Sequence, residues 1–115
     1  KSIFPSTKLA TFINLTPHDI KVGDRIFPAS GKIARVSSVH NKLIEIDGIP
    51  VYTVEYGKIV DLPPEKKGVI YIVSSMVLEA AKAEGRNDCV APATGHPEVK
   101  RNSQGQIDSV PGFVA

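Results

Sequence analysis

Apolar residues along the chain come in short runs, and each run is closed by a turn signal. That spacing predicts a β-rich domain with tight connections. Ala10 to Leu15 (ATFINL) is the first predicted strand, with Phe12 among β-branched neighbours. Thr16-Pro17-His18-Asp19 ends it, because Pro17 lacks a ladder donor and pushes Thr16 to extended geometry. Ile20 to Val22 and Arg25 to Phe27 flank Gly23-Asp24, a tight hairpin. Pro28 to Gly31 is a turn. Over Ile33 to Val39 neither alternate set is cleanly apolar, which reads as an edge strand.

The strongest local signal is Asp47-Gly48 between Leu43 to Ile46 and Ile49 to Tyr56, which predicts a second hairpin. Its second strand sets Val51, Thr53 and Glu55 against Tyr52, Val54 and Tyr56, and the aromatic set is expected to face inward. Asp61 to Gly68 (DLPPEKKG) is a loop. Val69 to Val73 (VIYIV) is continuously apolar, as a central strand buried on both faces would be. One helix follows over Met76 to Glu84, with Ser75 as its predicted N-cap and Gly85 just past its end. Cys89 to Ala93 is a short strand, and Thr94 to Pro97 a turn. Val99 to Arg101 and Gln106 to Val110 make a last hairpin around residues 102–105. The end is expected to be irregular, with Phe113 as a tether. Hairpin links dominate, so the expected fold is α+β and mostly β. It is a small antiparallel barrel or curled sheet with one short helix packed against it. Residues 1–115 form one domain, with 1–9 as an irregular arm.

Composition narrows this little. A hydrophobic fraction of 42% and a net charge of +2 fit an ordinary globular core and exclude a disordered chain. Residues 1–45 carry seven Lys or Arg against three acids, but without the basic stripe of a nucleic-acid binder. No apolar run is long enough for a membrane span. The single cysteine, Cys89, cannot form an intrachain disulfide, which favours a cytoplasmic, reducing compartment. The chain starts at Lys1 rather than Met, so a trimmed leader and secretion stay open. Asn14-Leu15-Thr16 fits the glycosylation pattern, but it lies in a predicted strand and Pro17 follows.

His18, His40 and His96 lack the close spacing of a metal site, and no metal or cofactor is expected. Tyr52, Tyr56 and Tyr71 are read as core residues rather than base-stacking platforms. Cys89 is read as a core thiol; Arg86 nearby is the one feature that would activate it. Ser74 and Ser75 stand where the most buried strand meets a helix N-terminus, a natural anion site, although capping alone needs one serine. Arg86 and Asp88 sit in the loop after the helix, either bracing it or reading a ligand. Arg35 is the other arginine expected to face a pocket.

The segments Phe12-Ile13-Asn14-Leu15-Thr16-Pro17-His18, Ile49-Pro50-Val51, Tyr56-Gly57, Gly68 to Ser74, Arg86-Asn87-Asp88 and Pro92-Ala93-Thr94-Gly95 together carry a resemblance. Over roughly residues 12–113 the chain resembles small phage and bacterial proteins that open with a strand ending in Leu-Thr-Pro-His. The resemblance implies a single domain and points to the LTPH turn, the Ser74 junction and the Arg86-Asn87-Asp88 loop.

The leading expectation is a non-enzymatic domain that binds a small anionic, nucleotide-like ligand or a protein partner. Its site would use Thr16, His18, Arg35, Ser74, Ser75, Arg86 and Asp88. One alternative is a small enzyme using His18, Cys89 or His96. Another is a homo-oligomeric assembly protein that pairs through edge strands. The separating question is whether the LTPH, Ser-Ser and Arg-Asn-Asp segments meet at one concave site.

Overall fold

A computed structural model describes residues 10–115; the expected arm at 1–9 lies outside the described residues. The strands are β1 (Thr11–Asn14), β2 (Ile20–Val22), β3 (Arg25–Phe27), β4 (Arg35–Ile46), β5 (Ile49–Val60), β6 (Val69–Ile72), β7 (Cys89–Pro92), β8 (Lys100–Arg101), β9 (Ile107–Ser109) and β10 (Phe113–Val114). The helix α1 (Ser75–Ala83) lies between β6 and β7.

The chain is mostly β with one short helix, but its central sheet is mainly parallel. The strand order is β1-β6-β7-β10. β6 runs parallel to both β1 and β7, and only β10 is antiparallel to its neighbour. The hairpin signals were sound: β2–β3, β4–β5 and β8–β9 are all antiparallel. Those hairpins do not join into one meander. The first two leave the sheet between β1 and β6, and α1 then carries the chain from β6 to β7 as a crossover. The sheets do not close, so no barrel forms.

β6 explains why a continuous apolar run is a strand here. Tyr71 and Val73 point to a cluster with Leu15, Val77, Leu78 and Ala81. Ile70 and Ile72 point the other way, to Ile20, Phe27, Val90 and Val110. Period-two alternation thus serves two cores, one under α1 and one under the β2–β3 hairpin. Three phenylalanines brace the second core. Phe12, Phe27 and Phe113 lie 5.1, 5.7 and 5.5 Å apart by ring centroids, and Arg25 sits over Phe27 at 4.8 Å. Phe113 is a tether as expected, and its segment is a strand rather than irregular.

The helix begins one residue earlier than its pattern suggested. Ser74, not Ser75, is the N-cap, and its hydroxyl accepts from the Val77 N–H at 3.3 Å. Gly85 follows the C-cap at φ +83°, the left-handed step that ends a helix. The hairpin at Asp47-Gly48 has both residues at positive φ, +53° and +78°, as a type I′ turn requires.

The largest departure is the β4–β5 ribbon. Arg35 to Val39 and Leu43 to Ile46 are parts of one strand of 12 residues, not a separate edge strand and hairpin arm, and Ile33 and Ala34 precede it. Only the base of the ribbon joins the body, where Val36 and Ile59 pack on the helix-side core. Tyr52 is 53% exposed, and Val54 and Tyr56 are exposed with it, so the aromatic face does not point inward. The Cα radius of gyration is 16.7 Å, against about 13 Å for a compact domain of this size.

A candidate crevice at the carboxyl ends of the parallel strands

β1, β6 and β7 are parallel, so their carboxyl ends emerge at one edge of the sheet. β1 runs into Leu15 to His18, β6 into Val73 to Ser75, and β7 into Ala93 and Thr94. Such an edge is where open α/β sheets hold ligands, because loops diverge there and leave a gap. A cavity of about 380 Å³ lies there, lined in part by Thr16, His18, Lys21, Ser74, Ser75 and Thr94. The returning β9 segment, Ile107 to Val110, closes its far side. The Val110 N–H donates to the Lys21 carbonyl at 3.0 Å and holds that side in place.

A residue outside the predicted set builds the LTPH turn. Asn14 is buried, and both ends of its amide are in use. Its Nδ2 donates to the carbonyls of His18 and Phe27, each at 2.8 Å. Its Oδ1 accepts from the Thr16 N–H at 2.9 Å and the Thr16 hydroxyl at 2.7 Å. Asn14 therefore ties the end of β1 to the turn and to the neighbouring hairpin, and its amide is closed to glycosylation. Thr16 is buried within this network, so its hydroxyl shapes the wall of the crevice. The Asx-type contact from Asn14 to Thr16 is local and was legible in Asn-x-Thr-Pro. The contact to Phe27, 13 residues away, was not.

The charges in the crevice are mixed. His18 and Lys21 stand with Asp19 and Asp108. Asp19 is partly committed, since its Oδ1 accepts from the Ala29 N–H at 2.8 Å. The first turn of α1 carries no acidic residue, so the positive end of its dipole is not offset by a carboxylate on the helix itself.

The structure brings together four of the seven predicted site residues: Thr16, His18, Ser74 and Ser75. Arg35 lines a different cavity with Asp61 and Pro63. Arg86 and Asp88 line neither cavity. They follow the C-terminus of α1 and enter β7 at its amino end, away from the crevice. There they brace the chain. Arg86 donates to both carboxylate oxygens of Asp88, at 3.0 and 2.8 Å, and to the Pro63 carbonyl at 2.8 Å. Tyr71 donates to the next carbonyl, Pro64, at 3.1 Å. The double-proline loop is thus pinned by two donors, one from buried Tyr71 and one from half-buried Arg86. The Asp88 hydrogen bond holds the Arg86 guanidinium above its ordinary pKa, against the opposing effect of burial.

Cys89 is buried beside this pair, with its Sγ 3.6 Å from Asp88 Oδ1. Burial pushes its thiol from 9.0 up to about 12, with the Asp88 charge adding to the rise. The thiolate needed for nucleophilic chemistry is therefore scarce near neutral pH. The three histidines are dispersed. His18 lines the crevice, His40 stands beside Tyr52 on the ribbon, and His96 accepts the Glu98 N–H through Nδ1 in the 94–97 turn.

Lys21, Thr94, Asp108 and Ser109 also line the crevice but were outside the predicted set. The C-terminal hairpin delivers two of them, and no local pattern announces where a hairpin folds back. Among the described residues no helix is long and apolar enough to cross a membrane. Set beside protein-family models, curated proteins and solved structures, the chain matches none at a significant level.

Proposed function

We propose that this is a binding domain that takes a small anionic ligand in the crevice at the carboxyl ends of β1, β6 and β7. One observation carries the reading: separate chain segments, the LTPH turn, the Ser74-Ser75 junction and the end of β7, converge on one cavity of about 380 Å³. The hydroxyl of Ser75 and the first free N–H groups of α1 supply donors. Lys21 supplies a cationic partner, and His18 an imidazole that can donate a hydrogen bond. Asp19 and Asp108 limit the charge the site tolerates and favour a compact, singly or doubly charged ligand over a polyanion. The ligand class is that of a nucleotide or a comparable phosphate or carboxylate compound.

The test is thermal unfolding with inorganic phosphate and with nucleoside monophosphates, set against the more highly charged nucleoside diphosphates, which should act more weakly. The expected result is a dose-dependent rise in Tm for the native chain. Lys21→Glu and Ser75→Asp should each abolish that rise, since both place a negative charge at the crevice. Arg35→Ala, in the other cavity, should keep it. If Lys21→Glu and Ser75→Asp retain the native response, the crevice is not the anion site. If no probe shifts the native Tm, the anionic reading fails.

A further inference from the structure

The β4–β5 ribbon has no cover within the chain. Beyond its base, residues 39–46 and 49–55 run free. An isolated two-stranded hairpin is marginal in water and needs a third layer or more strands. Nine of the 14 exposed large hydrophobics among the described residues belong to the ribbon. Opposed residues share a face, so the register sorts them. Tyr52, Val54 and Tyr56 lie on one face with His40. Ile44, Ile46, Ile49 and Val51 lie on the other, and make an aliphatic tip. Exposed apolar patches of this extent mark contact surfaces.

We infer that a second copy of this chain covers the ribbon, in a reciprocal exchange of arms. Three observations select that occupant. The first is that the chain carries both halves of the contact. Between the ribbon base and α1 lies a mainly apolar groove of about 730 Å³, lined by Val36, Tyr56, Met76, Ala80 and Ala83, with Glu79 and Glu84 beside them. The aliphatic tip matches that groove in chemistry. The tip stands about 26 Å from it along the ribbon, at roughly 3.3 Å per residue, so it cannot fill its own. A two-fold pair lets each tip enter the groove of the other, as isologous contacts require.

The second observation is charge. Residues 35–60 hold Arg35, Lys42 and Lys58 against Glu45, Asp47 and Glu55, three of each sign. Two copies meet without net repulsion, whereas a nucleic acid or an anionic membrane needs a basic surface. The third is area. One face of the free ribbon covers roughly 260 Å², from its length and a width of about 10 Å. Covering one face on each of two copies gives roughly 500 Å², too small for a specific interface. Covering both faces gives roughly 1,000 Å², the size at which specific interfaces begin. One ribbon face laid on the other ribbon falls short of that size, whereas a reciprocal exchange that seats each ribbon on the partner's body, groove included, buries surface on both sides of two contacts and reaches it.

Analytical ultracentrifugation of the full chain tests this. A dimer is expected at roughly 100 μM, within the micromolar range of weak interfaces. Ile49→Asp at the tip, which would meet Glu79 and Glu84 of the partner's groove, and Ala83→Glu at the groove rim should each weaken the dimer by about tenfold or more, a loss of about 1.4 kcal/mol. Both positions are exposed, so circular dichroism of the variants should match the native chain. A native chain that stays monomeric at that concentration overturns the inference. If such a monomer pellets with anionic vesicles, the ribbon is a membrane arm instead. A dimer that persists undiminished in both variants also overturns it, because the contact is then elsewhere.

Discussion

β6 and β5 are both apolar strands with tyrosine among β-branched residues, yet they meet opposite fates. β6 is four residues long and enclosed on both faces. β5 is 12 residues long and open on both faces for most of its length. Tyr71 is 1% exposed and Tyr52 is 53% exposed. Apolar content measures what a strand gains when covered, and says nothing of what covers it. β6 is covered because β1 and β7 flank it while α1 and β2–β3 close its faces. β5 has only β4 beside it, and the Asp47-Gly48 turn that joins the two stands at the far end from the base that packs on the body.

Three measurements sharpen that contrast. The largest effect should come from Tyr71→Ala. Removing a buried aromatic ring costs about 3–5 kcal/mol, and the Pro64 carbonyl loses its donor as well. Urea denaturation should show the fall directly. A loss below about 1 kcal/mol would mean that the body is far looser than its burial suggests.

A middle effect should come from pH. Cys89 has its folded pKa raised, so the folded chain keeps a proton that the unfolded chain gives up. The stability this thiol contributes is complete below pH 9.0 and is lost as pH rises towards about 12. Across that window stability should fall by up to about 1.4 kcal/mol per pH unit through this group. Cys89→Ala should lack that component, measured as the difference between the two denaturation series. Equal slopes in both chains would show that the thiol is not sealed in the body.

The smallest effect should come from Tyr52→Ala. In dilute monomer its stability change should stay within about 0.5 kcal/mol, as for exposed positions, since its neighbour His40 is exposed too. A loss near that of Tyr71→Ala would show the ribbon packed on its own body. The same substitution should weaken self-association, which separates the arm's role in contact from its role in folding.

The crevice repeats the lesson at a smaller scale. Ser74 and Ser75 were identifiable because a buried strand, two hydroxyls and a helix are adjacent in sequence. Thr16 and His18 were identifiable because Pro17 breaks a strand beside them. Their meeting depends on β1 and β6 being parallel neighbours 58 residues apart in register, as with Thr11 and Val69. Arg86 and Asp88 were equally suggestive in sequence, and parallel pairing puts them at the opposite end of the sheet. A bidentate ion pair with a proline carbonyl then uses them for bracing.

By itself, the sequence determined the local elements: the hairpins at Gly23-Asp24 and Asp47-Gly48, the apolar β6, the Ser-capped helix and its glycine stop. Each depends on contacts within a few residues, where backbone sterics and side-chain period decide. Only the tertiary structure decided that the central sheet is parallel, that the ribbon projects, and which candidates share a crevice. Those outcomes are set by which distant strand lies alongside which, and by competition among many apolar faces for a limited core. A periodic pattern records that a face seeks cover, but the partner that supplies it is chosen by the whole chain, or by a second one.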